Sequence, residues 1–255
     1  MAKVITIANQ KGGGGKTTTA VSLASALQHN NKTVLLIDLD PQGNLSSYLG
    51  GNTKNNITTL MDPSTSLDEI NKEEFITRAR QTNLFYISSD ISLSAAEFFL
   101  VTAMNRERIL KRVINRFFFD DYDYIIIDCL PSLGILLVNA LTAADEVIIP
   151  VQAQKLAVDG LELLMKVFSD VKTAINPKLT LGGVLVTMYD NTKMAIAVEE
   201  HLKQRFPGKV FKHHISKSVT ASYSTNDQIP LPEMRGKLGE EYMRVADEIL
   251  GGETK

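Results

Sequence analysis

The stretch that most restricts how this chain can fold is Asn9-Gln10-Lys11-Gly12-Gly13-Gly14-Gly15-Lys16-Thr17-Thr18-Thr19. An apolar run, Val4-Ile5-Thr6-Ile7-Ala8, leads into it, and Ala20, Val21, Leu23, Ala24 and Leu27 follow at helical spacing. Strand, glycine loop and helix in that order build a cradle for phosphate. Glycines let successive backbone N–H groups turn inward, and the helix N-terminus adds partial positive charge. In such a cradle Lys16 is placed to reach β- and γ-phosphates, and the Thr17 hydroxyl to hold Mg²⁺. The plainer reading is a glycine-rich turn opening a helix with Lys11 solvated. It leaves unexplained why strand, glycines, Lys-Thr pair and helix all agree.

The ordinary phosphate-loop pattern wants a glycine five residues before Gly15, and Gln10 stands there. A second lysine, Lys11, precedes the glycines instead. Lys11-Gly12-Gly13-x-Gly15-Lys16-Thr17-Thr18 resembles the deviant Walker A motif of the ParA/MinD superfamily of P-loop ATPases, in its ParA-type (Soj-like) form. The resemblance implies that residues Lys11, Gly12, Gly13, Gly14, Gly15, Lys16, Thr17 and Thr18 bind ATP. It also implies that Lys11 crosses a homodimer interface to the nucleotide of the other subunit. One departure is Gly14, where the family usually has valine. Four successive glycines cost backbone entropy on ordering, so a more mobile loop with intact phosphate contacts is expected.

A chain of 255 residues, 44% of them hydrophobic, can bury a sizeable core, and an α/β fold of this size is expected as one domain, 1–255. The formal net charge of −2 excludes a polycation made to coat nucleic acid. A single cysteine, Cys129, excludes an internal disulfide and a cysteine-based metal site, which suits a reducing cytosol. No apolar run approaches the ~18 residues that span a bilayer, and Lys3 is followed at once by strand and loop, unlike a signal peptide. The expectation is an intracellular, cytoplasmic protein.

Val34-Leu35-Leu36-Ile37 reads as a buried parallel strand ending in Asp38-Leu39-Asp40-Pro41-Gln42-Gly43-Asn44. Carboxylates at the C-terminal end of such a strand face the crevice where ligands bind. Asp40 before Pro41 could also simply cap a turn. The segment resembles the family's switch I, whose second aspartate orients the attacking water, a match to Asp40; Asp38 is then a supporting group. Tyr124-Ile125-Ile126-Ile127-Asp128 fits a Walker B strand, with Asp128 in the Mg²⁺ shell beside Thr17. Cys129-Leu130-Pro131-Ser132-Leu133-Gly134 resembles switch II, where Leu130 is more often proline, and Cys129 is expected to pack as a small hydrophobe.

Residues 50–66 are polar and turn-rich and read as surface connection. Further expected elements are a short helix over Leu67–Ala79, a strand over Leu84–Ile87, a helix from Ser94 to about Arg116, and a helix over Leu136–Ala143. A strand over Glu146–Val151, a helix over Ala157–Ala174, a strand over Leu181–Thr187 and a final helix over Leu238–Leu250 follow. Arg106, Arg108, Lys111, Arg112 and Arg116 read as a solvated helix face rather than a binding patch. The alternation predicts a doubly wound, mainly parallel sheet with helices on both faces.

Between His201 and Gly239 seven basic residues stand against Asp227 and Glu233, a local formal charge of +5. A mixed surface and a footprint for phosphate backbone both fit. The resemblance implies non-specific DNA binding by this half and an adenine pocket at Ser216, Lys217 and Ser218. Here the chain departs from ParA-type patterns, Asp-x-Arg-Thr and Ile-Pro-Arg-Asn-Val-Arg. It has Asp190-Asn191-Thr192-Lys193 and Ile215-Ser216-Lys217-Ser218-Val219-Thr220, without the bidentate fork of arginine. The last helix carries Glu240, Glu241, Asp247 and Glu248, unlike the basic membrane helix of MinD-type relatives.

The reading as a whole is an ATPase for plasmid or chromosome partition, with Lys11, Lys16 and Asp40 catalytic and ATP and Mg²⁺ joining two monomers. The family adds slow hydrolysis stimulated by a ParB-like centromere-binding partner, and a place on the nucleoid if DNA is bound. One rival is a ParA-like positioning ATPase whose cargo is a protein complex. The other is a metabolic ligase or reductase component on the same scaffold.

Overall fold

The computed structural model describes residues 2–118, 120–154 and 159–251. Seven strands form one sheet: β1 (Lys3–Ile7), β2 (Val34–Leu39), β3 (Thr77–Arg78), β4 (Phe85–Ile87), β5 (Tyr124–Cys129), β6 (Glu146–Gln152) and β7 (Thr180–Thr187). Their order is β3-β4-β2-β5-β1-β6-β7. Every pairing is parallel except the short β3 edge on β4. Both faces of the strands are buried, so their apolar runs are continuous rather than alternating. In β2, Leu35, Ile37 and Leu39 face one core while Val34 and Leu36 face the other.

The helices are α1 (Lys16–His29), α2 (Asn44–Leu49), α3 (Ile57–Met61), α4 (Leu93–Thr102), α5 (Ile109–Phe117), α6 (Ile135–Ala143), α7 (Asp159–Ala174), α8 (Lys193–Arg205), α9 (Thr220–Asp227) and α10 (Lys237–Ile249). One core lies between the sheet and residues of α3 to α8. The other packs α1, α2 and α10 on the opposite face. The doubly wound sheet is therefore as expected. No helix among the described residues is long and apolar enough to cross a membrane.

Several local expectations differ. The helix expected over Leu67–Ala79 is two 3₁₀ turns, Leu67–Glu69 and Lys72–Glu74, followed by β3. The helix expected from Ser94 is broken into α4 and α5 where Asn105 takes a left-handed backbone, φ 52°, which asparagine tolerates better than most residues. Residues 50–66 are more than surface connection, because α3 buries Ile57, Leu60 and Met61. The first two residues of the helix expected over Ala157–Ala174 lie outside the described residues. Glu241, one of the acidic residues of the last helix, is buried and accepts hydrogen bonds from Ser216 N–H (2.8 Å) and Oγ (2.6 Å).

β1 sits between β5 and β6, so the chain departs to one side through β2 and returns on the other through β6. The loops at the C-terminal ends of β1, β2 and β5 meet at this reversal, where open α/β sheets bind ligands. The register sets Ile7 and Asp38 level with Asp128.

Candidate active site

The glycine loop is fixed from beneath by a residue the sequence did not single out. Asn9, buried, donates from Nδ2 to the Pro150 carbonyl (2.6 Å) and accepts at Oδ1 from the Lys11 N–H (3.0 Å). Its place just before the glycines, where asparagine makes turns with backbone two residues on, is the signal that could have found it. Gly13 and Gly15 have φ of 74° and 83°, which L side chains rarely adopt. Gly14 differs. Its φ is ordinary, and an added Cβ would make normal contacts at 3.4–3.6 Å with Asn9, Lys11 and Pro150. The Gly14 carbonyl accepts a hydrogen bond from Thr187 Oγ1 (3.1 Å). The backbone here therefore accepts a Cβ, as the family's valine requires.

α1 opens at Gly15 without a side-chain cap, so its first N–H groups have no such partner. Lys16 lies buried at this point, its Nζ 3.4 Å from the Lys11 carbonyl. Burial lowers its pKa, and the carboxylates of Asp128 and Asp40 oppose that. Lys11 itself is half-buried and has no ion-pair partner among the described residues.

Two carboxylates, Asp128 and Asp40, act on Lys16, and Asp38 lies beside Asp128. Asp128 is fully buried, and neither of its oxygens has a hydrogen-bond partner among the described residues. Burial, then the neighbouring Asp38, drives its pKa well up; the Thr17 hydroxyl is close enough to counter this without completing a hydrogen bond. Asp38 is buried too, with burial pushing its pKa up to about 6. Asp40 does cap a turn, accepting the Gln42 N–H at Oδ1 (2.9 Å). It also lines the cavity over the loop, so capping the turn leaves it facing that space. Cys129 is buried among hydrophobic neighbours.

That cavity, about 660 Å³, is bordered by the loop, Lys16, Thr17, Thr18 and Asp40 on one side. Its far wall is Pro131, Met188 and the Ala221, Ser222, Thr225 and Asn226 face of α9. Sequence reasoning did not anticipate α9 or Met188, because neither carries a motif. Ser216, Lys217 and Ser218 border a separate cavity of about 220 Å³ with Arg235, Gly236 and Lys237.

The residues fit a magnesium nucleotide. A buried carboxylate with both oxygens unpartnered and an adjacent hydroxyl is a hard oxygen donor set suited to Mg²⁺. Added Cβ atoms at Gly12 and Gly13 would meet nothing within 4 Å, so the loop borders open space. Sheet topology, loop and acids together define a P-loop nucleotide-binding protein.

Comparison with known proteins narrows this class. A family model described as an AAA domain matches residues 2–181. The chain is 41% identical to the sporulation initiation inhibitor protein Soj of Bacillus subtilis, over 98% of each chain. It is 38% identical to the chromosome-partitioning ATPase Soj of Treponema pallidum, again over 98% of each. Among solved structures it is similar to a cobyrinic acid a,c-diamide synthase from Mycobacterium smegmatis with bound ADP and magnesium. That match has a TM-score of 0.84 and 33% identity, over 98% of this chain and 94% of that one. It is similar also to a plasmid partition protein from Borrelia burgdorferi, with a TM-score of 0.75 and 29% identity over 98% of each. The chain belongs to the ParA/MinD superfamily of P-loop ATPases, with the Soj and ParA proteins.

Proposed function

We propose that this chain is a partition ATPase, a single domain over 1–255, that pairs two copies of itself around ATP and Mg²⁺ and separates them on hydrolysis. The observation that carries the reading is the buried, unpartnered Asp128 carboxylate beside Lys16 under the glycine loop. Identity of 41% along nearly the whole of Soj, against 33% to the synthase, favours partition over a metabolic ligase.

The N–H groups of Gly13 to Thr18, at the uncapped start of α1, would hold the triphosphate of ATP. Thr17 and Asp128 would supply the protein oxygens that hold Mg²⁺, which when bound would draw charge from the phosphate. Lys16, already desolvated, neutralises charge developing on the transferred phosphoryl. Asp40 has one oxygen engaged by Gln42 and the other without a hydrogen bond among the described residues, and that oxygen orients the attacking water. Lys11 of a second copy completes the site.

The +5 segment supports non-specific contact with DNA backbone, with Lys217, Arg235 and Lys237 grouped around one cavity. Lys203 is the weaker contributor, since Glu199 already pairs with it at 2.6 Å. A ParB-like centromere-binding partner would stimulate slow hydrolysis, and the protein would be cytoplasmic and nucleoid-associated. The arginines missing from the two motifs Asp190–Lys193 and Ile215–Thr220 favour the second reading, a positioning ATPase with a protein cargo. A gel shift on random duplex DNA with ATP or ADP at two salt concentrations decides. Salt-sensitive binding with ATP alone supports partition; no shift at either salt removes DNA as cargo.

A further inference from the structure

We infer that Asp38 is a positioning residue for hydrolysis, holding Asp40 and the start of α2 in one arrangement. The inference rests on the assignment of Asp40 to the attacking water. Asp38 is wholly buried and is not among the residues that border the cavity. Its carboxylate is nonetheless engaged on both oxygens. Oδ1 accepts the Asp40 N–H at 3.1 Å. Oδ2 accepts the Ser46 N–H at 2.9 Å and the Ser46 hydroxyl at 2.7 Å. The Ser46 oxygen in turn accepts the Ser89 N–H (2.9 Å), which carries the chain of contacts to the end of β4.

These bonds bracket Asp40-Pro41-Gln42-Gly43, the turn that presents the Asp40 side chain to the cavity. One end of the turn is tied through the Asp40 N–H and the other through Ser46 in α2. A single carboxylate thus sets the distance between its two ends. A buried acid level with a second acid, Asp128, is an unfavourable placement for stability alone. An asparagine of the same shape would present an N–H to one of these donors and release that end of the turn. Displacement of a reacting group by about an ångström can cost 10²-fold in rate.

Steady-state ATPase assays and fluorescent-nucleotide titrations with Mg²⁺ on Asp38→Asn, Ser46→Ala, their double variant and Asp40→Ala test this. Asp38→Asn is expected to lower kcat by about a hundredfold, with KM and nucleotide affinity within about threefold of the parent. Ser46→Ala is expected to lose about tenfold in kcat, and the double variant to be no slower than Asp38→Asn, as one shared device requires. Parental kcat in Asp38→Asn and Ser46→Ala, with Asp40→Ala inactive, overturns the inference; so does a loss confined to KM. Parental turnover by Asp40→Ala overturns the assignment beneath it. If Asp38→Asn does not fold, Ser46→Ala decides alone, and unchanged kcat counts against the inference.

Discussion

At the scale of single residues, the four consecutive glycines are not equivalent. Gly15 sits at φ 83° with its nearest neighbour, Thr187 Cγ2, at 4.0 Å from an added Cβ. Gly15→Ala therefore has room but the wrong backbone, and should cost about 1–2 kcal/mol in thermal or denaturant unfolding. At Gly14 an added Cβ meets ordinary contacts at an ordinary φ, and for Gly14→Val isothermal titration should find ATP affinity within about threefold of the parent. Chain composition made the loop legible, since few sequences place Lys-Thr after glycines and before a helix. Asn9 was not legible in the same way, because its partner carbonyl on Pro150 is 141 residues away. Asp40 was legible only as two competing readings, and both proved compatible once Gln42 took one oxygen and the cavity lay beside the residue.

Among elements, the strands were readable because burial on both faces leaves continuous apolar runs. α9 was not, since Thr220–Asp227 buries only Ser224 and carries no apolar face to reveal it. Contacts far along the chain hold it instead. Ser224 Oγ meets the Tyr48 hydroxyl and donates to the Ile229 carbonyl (2.6 Å), and Gln228 Nε2 donates to the Ser47 carbonyl (2.8 Å). α2 and α9 thus form one wall of the cavity. Ser224→Ala should leave the Tyr48 hydroxyl with a poorer partner and destabilise the protein by about 1 kcal/mol in a denaturation experiment. α10 is seated more tightly. A Cβ on Gly239 would lie 2.4 Å from the Leu231 carbonyl oxygen and 3.1 Å from that of Met234. Gly239→Ala must move backbone, and about 1–3 kcal/mol of lost stability is expected, seen as a lower Tm.

The whole molecule concentrates buried acid at the end of two neighbouring strands. The pKa of Asp38 is raised to about 6 and that of Asp128 is raised well above the usual carboxylate range, both through burial first. Groups with folded pKa values above their unfolded ones bind more protons in the folded state. Their contribution to stability is fully present at low pH and is lost as pH rises through the folded values. Without nucleotide, the Tm of the parent should therefore fall relative to that of Asp38→Asn between about pH 4 and pH 6. Magnesium nucleotide requires the ionised Asp128, so its stabilising effect should grow as pH rises through the raised pKa of that residue. The proposed switch works only if Lys11 serves a nucleotide held by another copy. Light scattering of parent and Lys11→Ala, each saturated with Mg·ATP as checked by fluorescent-nucleotide binding, measures this directly. The parent should double its mass with ATP and not with ADP, while Lys11→Ala binds ATP and stays at the mass of one chain. A Lys11→Ala protein that pairs as readily as its parent would contradict the account.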